Sequence, residues 1–445
     1  MKRSWFVWLH RWIGLAMAVF LIITALTGSL LAFKKEIDEA LGARPSRHIP
    51  VEDRPLLGAC DLLECAQRLE PRAEFGILPV AVEPGMAFEI PVFGKLDPAM
   101  GKPFVMGYES LQLNPYSGGL IRRAAGPSHG HGPLWPVTRH NLMNVVYALH
   151  KRLALPGRIG ILILGWVAVA WTVDCFIGCY LTWPARSAGA PASPPKSRLR
   201  NPWFRRWFSA WTFDWRGRPY RINFKAHLAL GLWTWAMLFV FAWSSVNFQL
   251  GPQVYQPVMK RFGMRPFLEE FYAMPDLPGP QPPGLTWRQA LATGERLAGE
   301  RAREEGFGRV KALQLEYDKY SGNFVYWLAS SRSPARDKVG TLVVFDGTSG
   351  KLWKVFHLTG QDAGTTVTTW LTWMHVAMIG GLPFKILVSL MGLVITVLTM
   401  TGVYLWWKKR RSRQVVAAAI AGRASALVAR GGKGPDSPQD GLLHG

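Results

Sequence analysis

Four apolar runs constrain this chain more than any other feature. Residues 12–33, 159–183, 226–248 and 383–407 are each long enough to cross about 30 Å of hydrocarbon, which takes roughly 20 helical residues. The last run, ILVSLMGLVITVLTMTGVYLWW, stops at Lys408-Lys409-Arg410-Arg411. The first follows Lys2 and Arg3, as a cleavable signal would. Its apolar stretch exceeds the roughly 7–15 residues of a signal core, so it reads as a retained anchor. The predicted fold is a membrane protein built on a four-helix transmembrane bundle. Its 21 tryptophans suit that setting, because the indole ring favours membrane interfaces.

Four spans put the N-terminus, the loop after the second span and the C-terminal tail on one side. The net charge of +23 has its natural place there: residues 184–221 hold nine Lys and Arg against one acid, Asp214, and the tail opens with KKRRSR. By the positive-inside rule this side is cytoplasmic. Nucleic acid is another partner for such charge. The basic residues flank spans and form no separate basic domain, so lipid is expected and nucleic acid is not. The chain then divides into residues 1–33 (N-terminus and first span), 34–150 (first outer segment), 151–183 (second span) and 184–225 (basic loop). Residues 226–248 (third span), 249–370 (second outer segment), 371–407 (fourth span) and 408–445 (basic tail) complete it. Cys60 and Cys65 fall in an outer segment, where an oxidising space permits a disulfide. Five residues apart on one helix they point differently, and their pairing stays open. Cys175 and Cys179 lie inside the second run and read as small buried residues.

The order span, soluble segment, span occurs twice. HRWIG, from His10, and HLALG, from His227, both read His-x-x-x-Gly, and both reach a small residue 18 positions after the histidine, Gly28 and Ser245. His150 precedes Gly178 of GCYLTWP by 28 residues, and His375 precedes Gly402 of GVYLWWK by 27. The outer segments also match. SLQLNPYSGGLIRR (110–123) and TLVVFDGTSGKLWKV (341–355) each predict a β-hairpin around an Asn/Asp/Ser/Gly turn. CDLLECAQRLE and LTWRQALATGERLAGERARE each predict a helix, the second with a Thr cap. Two small α+β domains and an internal two-fold repeat are expected.

His10 and His227 end spans on the inner face, His150 and His375 on the outer. Neutral imidazoles make good axial ligands for haem iron, and two from facing helices would clamp one haem from both sides. One histidine at a membrane interface is ordinarily part of the polar belt. Four in two matched registers point to function, as ionisable residues in spans tend to. Gly14 and Gly231, one turn along, would let a flat macrocycle approach the backbone; Gly165, Gly178, Gly380, Gly381 and Gly402 would serve likewise. Arg11, Arg152 and Arg158 are placed for propionates. Zinc wants three or four clustered ligands, which two separated pairs do not supply. His140 is a reserve ligand to His150, because Pro156-Gly157 interrupts the helix after His150. SHGHGP, with His129 and His131, reads as a loop more than a metal site. His48 and His357 read as surface residues. Asp174, the one acid deep in a span, reads as a bond to a neighbouring helix more than a proton carrier. Trp135, Trp327, Trp353 and Trp370 are outer aromatics, read as packing first and as cleft lining second. No G-x-G-x-x-G after a strand and no P-loop occurs, so electrons would arrive from another carrier.

LHRWIGL (9–15), the Leu-His of 149–150, HLALGLW (227–233), MHVAMIGG (374–381) and TGVYLWW (401–407) resemble the PepSY-associated transmembrane family, and the hairpins resemble its PepSY modules. The resemblance covers residues 4–410. It implies two b-type haems held by His10, His227, His150 and His375, and a bacterial inner-membrane location with both termini cytoplasmic. It also implies reduction of a ferric siderophore, of hydroxamate type, on the periplasmic face. The donor would be a quinol or a cytoplasmic reductase. Two other readings stay open: a haem-free membrane-anchored binding or sensory module, and a haem b electron carrier with a different acceptor.

Overall fold

The computed structural model describes residues 2–43, 47–124, 134–184, 202–335 and 337–431. Four of its helices are long and apolar enough to cross a membrane: α1 (Arg3–Leu31), α4 (Ile159–Thr182), α5 (Pro219–Leu250) and α8 (Gly381–Gly431). A π turn at Gly251–Tyr255 carries α5 on towards Arg261. Shorter helices lie between them: α2 (Ala59–Leu69), α3 (Leu142–Arg152), α6 (Trp287–Glu304) and α7 (Ala363–His375). The chain forms two compact units, residues 1–21, 174–235 and 394–445 in one, 22–173 and 236–393 in the other.

The second unit contains a β-rich body. Strands β1 (Ile77–Pro79), β2 (Phe88–Pro91), β3 (Ser110–Leu113) and β4 (Leu120–Ala124) come from the first outer segment. Strands β5 (Arg309–Asp318), β6 (Asn323–Ser330), β7 (Val339–Asp346) and β8 (Leu352–His357) come from the second. Both expected hairpins form, as β3–β4 and β7–β8. The larger sheet is antiparallel in the order β8-β7-β6-β5-β1, and a smaller one runs β2-β3-β4. The larger sheet is buried on both faces, which explains the unbroken apolar runs of β6 and β7. Phe324, Tyr326, Leu328, Val343 and Phe345 face the core under α6, while Val325, Leu342, Val344 and Phe356 pack with Trp373 of α7. Helix α6 starts where the Thr cap predicts. Thr286 Oγ1 accepts from the Gln289 N–H, and Gln289 Oε1 accepts from the Thr286 N–H.

The expectation of two separate small domains needs correction. Strand β1 leaves its own segment and pairs with β5, and Leu62, Leu78, Ile90 and Leu111 share one core with Leu297, Phe324 and Phe345. The two segments close one shared core. Cys60 and Cys65 are free thiols. His140 and His48 are exposed.

His357, read from sequence as a surface residue, is instead 5% exposed. Its Nδ1 lies 2.9 Å from Thr341 Oγ1 and its Nε2 2.8 Å from Glu305 Oε2. Burial pushes its pKa down, and the Glu305 carboxylate opposes this only in part. The unfolded chain therefore takes up the proton first, and stability present above the ordinary histidine value of about 6.5 is lost as pH falls below it. Thermal unfolding should shift down between pH 7 and 5, and His357→Gln should flatten that slope.

In the first unit, aromatic rings join the span ends to the segment between them. Trp183, Trp203, Trp207, Trp211 and Trp233 follow one another at centroid distances of 5.5–6.3 Å. The Trp207 indole donates to Thr182 Oγ1 and that of Trp233 to the Trp211 carbonyl. Such a row of indoles suits an interfacial belt.

Candidate functional site

The four histidines come together as two pairs, one within each unit. In the first unit the ring centroids of His10 and His227 lie 6.2 Å apart with planes at 63°. His10 Nδ1 is 2.9 Å from Asp174 Oδ1 on α4. Its ring packs on Gly178, where an added Cβ would stand 3.4 Å from His10 Cε1. His227 Nδ1 meets the Leu398 carbonyl at 3.1 Å and Thr401 Oγ1 at 3.0 Å, both on α8, and its ring packs on Gly402 at 3.3 Å in the same measure.

The second unit repeats the arrangement. His150 and His375 have centroids 6.3 Å apart and planes at 72°. His150 Nδ1 meets the Thr24 carbonyl at 2.9 Å and Thr27 Oγ1 at 3.1 Å on α1, and its ring faces Gly28, where a Cβ would stand 3.0 Å away. His375 Nδ1 lies 2.7 Å from Ser244 Oγ and bonds the Phe241 backbone on α5. Phe241 and Phe248 stand edge-on to it at 5.3 and 5.2 Å.

One local rule produces three of these seats. A small residue, in contact with the ring at Gly28 and Gly402, has a hydroxyl residue one position before it and a backbone acceptor four before it. The sets are Thr24/Thr27/Gly28, Phe241/Ser244/Ser245 and Leu398/Thr401/Gly402. Residues four apart share one helix face, so both acceptors aim at one ring. The hydroxyls are held by their own helix: Thr27 donates to the Ile23 carbonyl, Thr401 to Leu398 and Ser244 to Val240. At the fourth seat, Asp174/Ile177/Gly178, a carboxylate replaces the carbonyl and Ile177 brings no hydroxyl.

The chemistry of the acceptors fixes the tautomer. A carbonyl only accepts, so Nδ1 carries the proton and Nε2 of the neutral ring keeps its lone pair. Among the described residues, Nε2 of none of the four histidines makes a hydrogen bond. Two imidazoles on opposite sides of one metal ion, each about 2 Å from it, carry ring centroids about 6 Å apart. Both pairs have that spacing.

The sequence named the four histidines; it did not name Thr24, Thr27, Phe241, Ser244, Leu398 and Thr401, which orient them. The signal was present, as a hydroxyl residue directly before each of three small residues. His150, and not the exposed His140, is the ring that pairs with His375. The helix break after His150 is real: the chain turns through Leu153, Ala154 and Gly157, all at positive φ, before α4 begins. Gly160 permits the return, since a Cβ there would stand 1.8 Å from the Arg152 carbonyl oxygen. His375 is followed by a similar turn through Ala377, Gly380 and Gly381. A Cβ at Gly14 meets nothing within 4 Å and one at Gly231 only Leu398, so the helix face stays open one turn from His10 and from His227. Arg11 is adjacent to His10, while Arg152 and Arg158 lie just after His150. Trp327 packs against the core under α7. Trp135, Trp353 and Trp370 are exposed. His129 and His131 lie outside the described residues.

Comparison with curated proteins finds no match. Residues 7–409 match the PepSY-associated TM region, and the chain belongs to that family.

Proposed function

We propose that this protein is an inner-membrane di-haem b reductase that passes electrons across the membrane to a periplasmic ferric siderophore. The observation behind the reading is the state of the eight imidazole nitrogens. Each Nδ1 has an acceptor, and among the described residues each Nε2 is left without a hydrogen-bond partner on a ring whose centroid lies 6.2 or 6.3 Å from that of a second imidazole. Ring pairs at about 6 Å also occur in ordinary aromatic packing. Ordinary packing gives no reason for four Nδ1 seats that each leave Nε2 without a hydrogen-bond partner among the described residues. Ligation of a metal would use those lone pairs.

His10 with His227, and His150 with His375, would hold the two haems. Iron porphyrin with two imidazole ligands supplies one-electron transfer and offers no open position for oxygen. The chain's own work is positional. The Nδ1 acceptors fix ring rotation and tautomer, as outer-shell partners of metal-bound histidines do. Arg11, Arg152 and Arg158 would pair with propionates. The basic loop and tail, held cytoplasmic by the positive-inside rule, face the donor. A quinol donor would give two electrons and two protons, reducing two ferric chelates by one electron each. Hydroxamate oxygens are hard ligands that favour Fe(III), so Fe(II) would leave. The exposed Trp135, Trp353 and Trp370 offer flat apolar surface on the acceptor side.

A pyridine haemochrome assay on purified protein should return two b-type haems per chain, and ferrioxamine should reoxidise the dithionite-reduced protein. Protein without haem overturns the reading. Two haems that ferrioxamine leaves reduced would keep the cytochrome and remove the siderophore.

A further inference from the structure

One of the four seats stands apart from the others. At three of them the acceptors of Nδ1 are neutral, a backbone group and a hydroxyl. At His10 the acceptor is the Asp174 carboxylate, at 2.9 Å. The replacement is positional: Asp174 stands four residues before Gly178, where Thr24, Phe241 and Leu398 stand before Gly28, Ser245 and Gly402. Asp174 is 8% exposed, and its neighbours one turn away on α4 include no basic residue. The hydroxyl one position before the small residue is also absent there, since Ile177 fills it. The carboxylate is therefore the whole of the polar seat for His10 among the described residues.

Resting on the haem reading above, we infer that Asp174 is a positioning residue that lowers the reduction potential of the haem between His10 and His227 relative to the haem between His150 and His375. Two effects act in the same direction. A carboxylate pulls the Nδ1 proton towards itself more strongly than a carbonyl does, which makes Nε2 a more electron-rich donor. A buried negative charge beside the ligand also favours the more positive, oxidised iron. The inner site is then the weaker electron holder, and electrons arriving there run on towards the outer site. The carboxylate, present at one seat of the four, supplies that slope.

The test is a spectroelectrochemical titration of the full-length holoprotein. Haem is counted first: wild type without two haems sinks the proposed function itself. With two haems present, wild type should titrate as two waves. Asp174→Asn, which keeps the acceptor shape without the charge, should raise the lower wave by at least tenfold in the reduction equilibrium, about 59 mV for one electron. The upper wave should stay in place, and Asp174→Glu should keep the lower wave near its wild-type position. Two haems whose potentials ignore Asp174→Asn overturn this inference alone. If Asp174→Asn loses a haem, the decision passes to Thr24→Asp, which transplants the carboxylate to the matching position under His150. That variant should lower the upper wave by a similar factor, and no shift there overturns the inference.

Discussion

Purified His10→Ala and His375→Ala should each contain one haem per chain in place of two. The argument is geometric. Each pair has its own two rings and its own acceptors, and no histidine serves both. Removing one ring leaves a porphyrin with a single imidazole at that site, while the other pair keeps its full set. The double variant His10→Ala/His375→Ala should contain none. Gly28→Val should reproduce the His375→Ala result with all four histidines intact. A Cβ at Gly28 already stands 3.0 Å from His150 Cε1, and two further methyl groups would drive the ring off its Thr24 and Thr27 acceptors. Glycine is used there for close approach, and helix propensity alone would favour almost any other residue. The measurement is haem per chain by pyridine haemochrome against protein from amino-acid analysis. If His375→Ala and Gly28→Val both retained two haems, the pairing would carry no cofactor.

The spans were readable because a 20-residue apolar run has few other homes, and both hairpins because their turn residues interrupt apolar strands. The histidines stood out through register: His10 and His227 share the spacing to Gly14 and Gly231 as well as to Gly28 and Ser245. What sequence left dark depends on contacts distant along the chain. Strand β1 is three residues long, and nothing in Ile77–Pro79 announces that it pairs with Gln314–Glu316 rather than within its own segment. His357 ends a strand beside a polar turn, so it reads as exposed; Glu305 and Thr341, which bury it, come from a helix end and a neighbouring strand. The Nδ1 acceptors were hidden for a related reason. Thr27, Ser244 and Thr401 look like ordinary back-bonding hydroxyls in apolar helices, and only the ring brought in from another helix gives them a second task.

Leu111→Ala and Phe345→Ala should each destabilise the β-rich body severely, by about 2–5 and about 3–5 kcal/mol. The two residues lie in different outer segments, in different sheets, and both are fully buried in the same core. That placement makes the result diagnostic of more than a cavity. Two independent domains would respond separately: Leu111→Ala would loosen residues 34–124, Phe345→Ala residues 285–357, and each loss would spare the other. A single core joined by β1 and β5 unfolds as one body, so either substitution should expose both segments together. Pulse proteolysis in detergent over a urea series reads this directly, with fragments assigned by mass. The expected result is simultaneous cleavage in both segments at one shared midpoint, lower than wild type in either variant. The paired substitution should also depart from additivity, because the two cavities open into one core. Separate midpoints for the two segments would restore the two-domain description that the repeat in the sequence suggests.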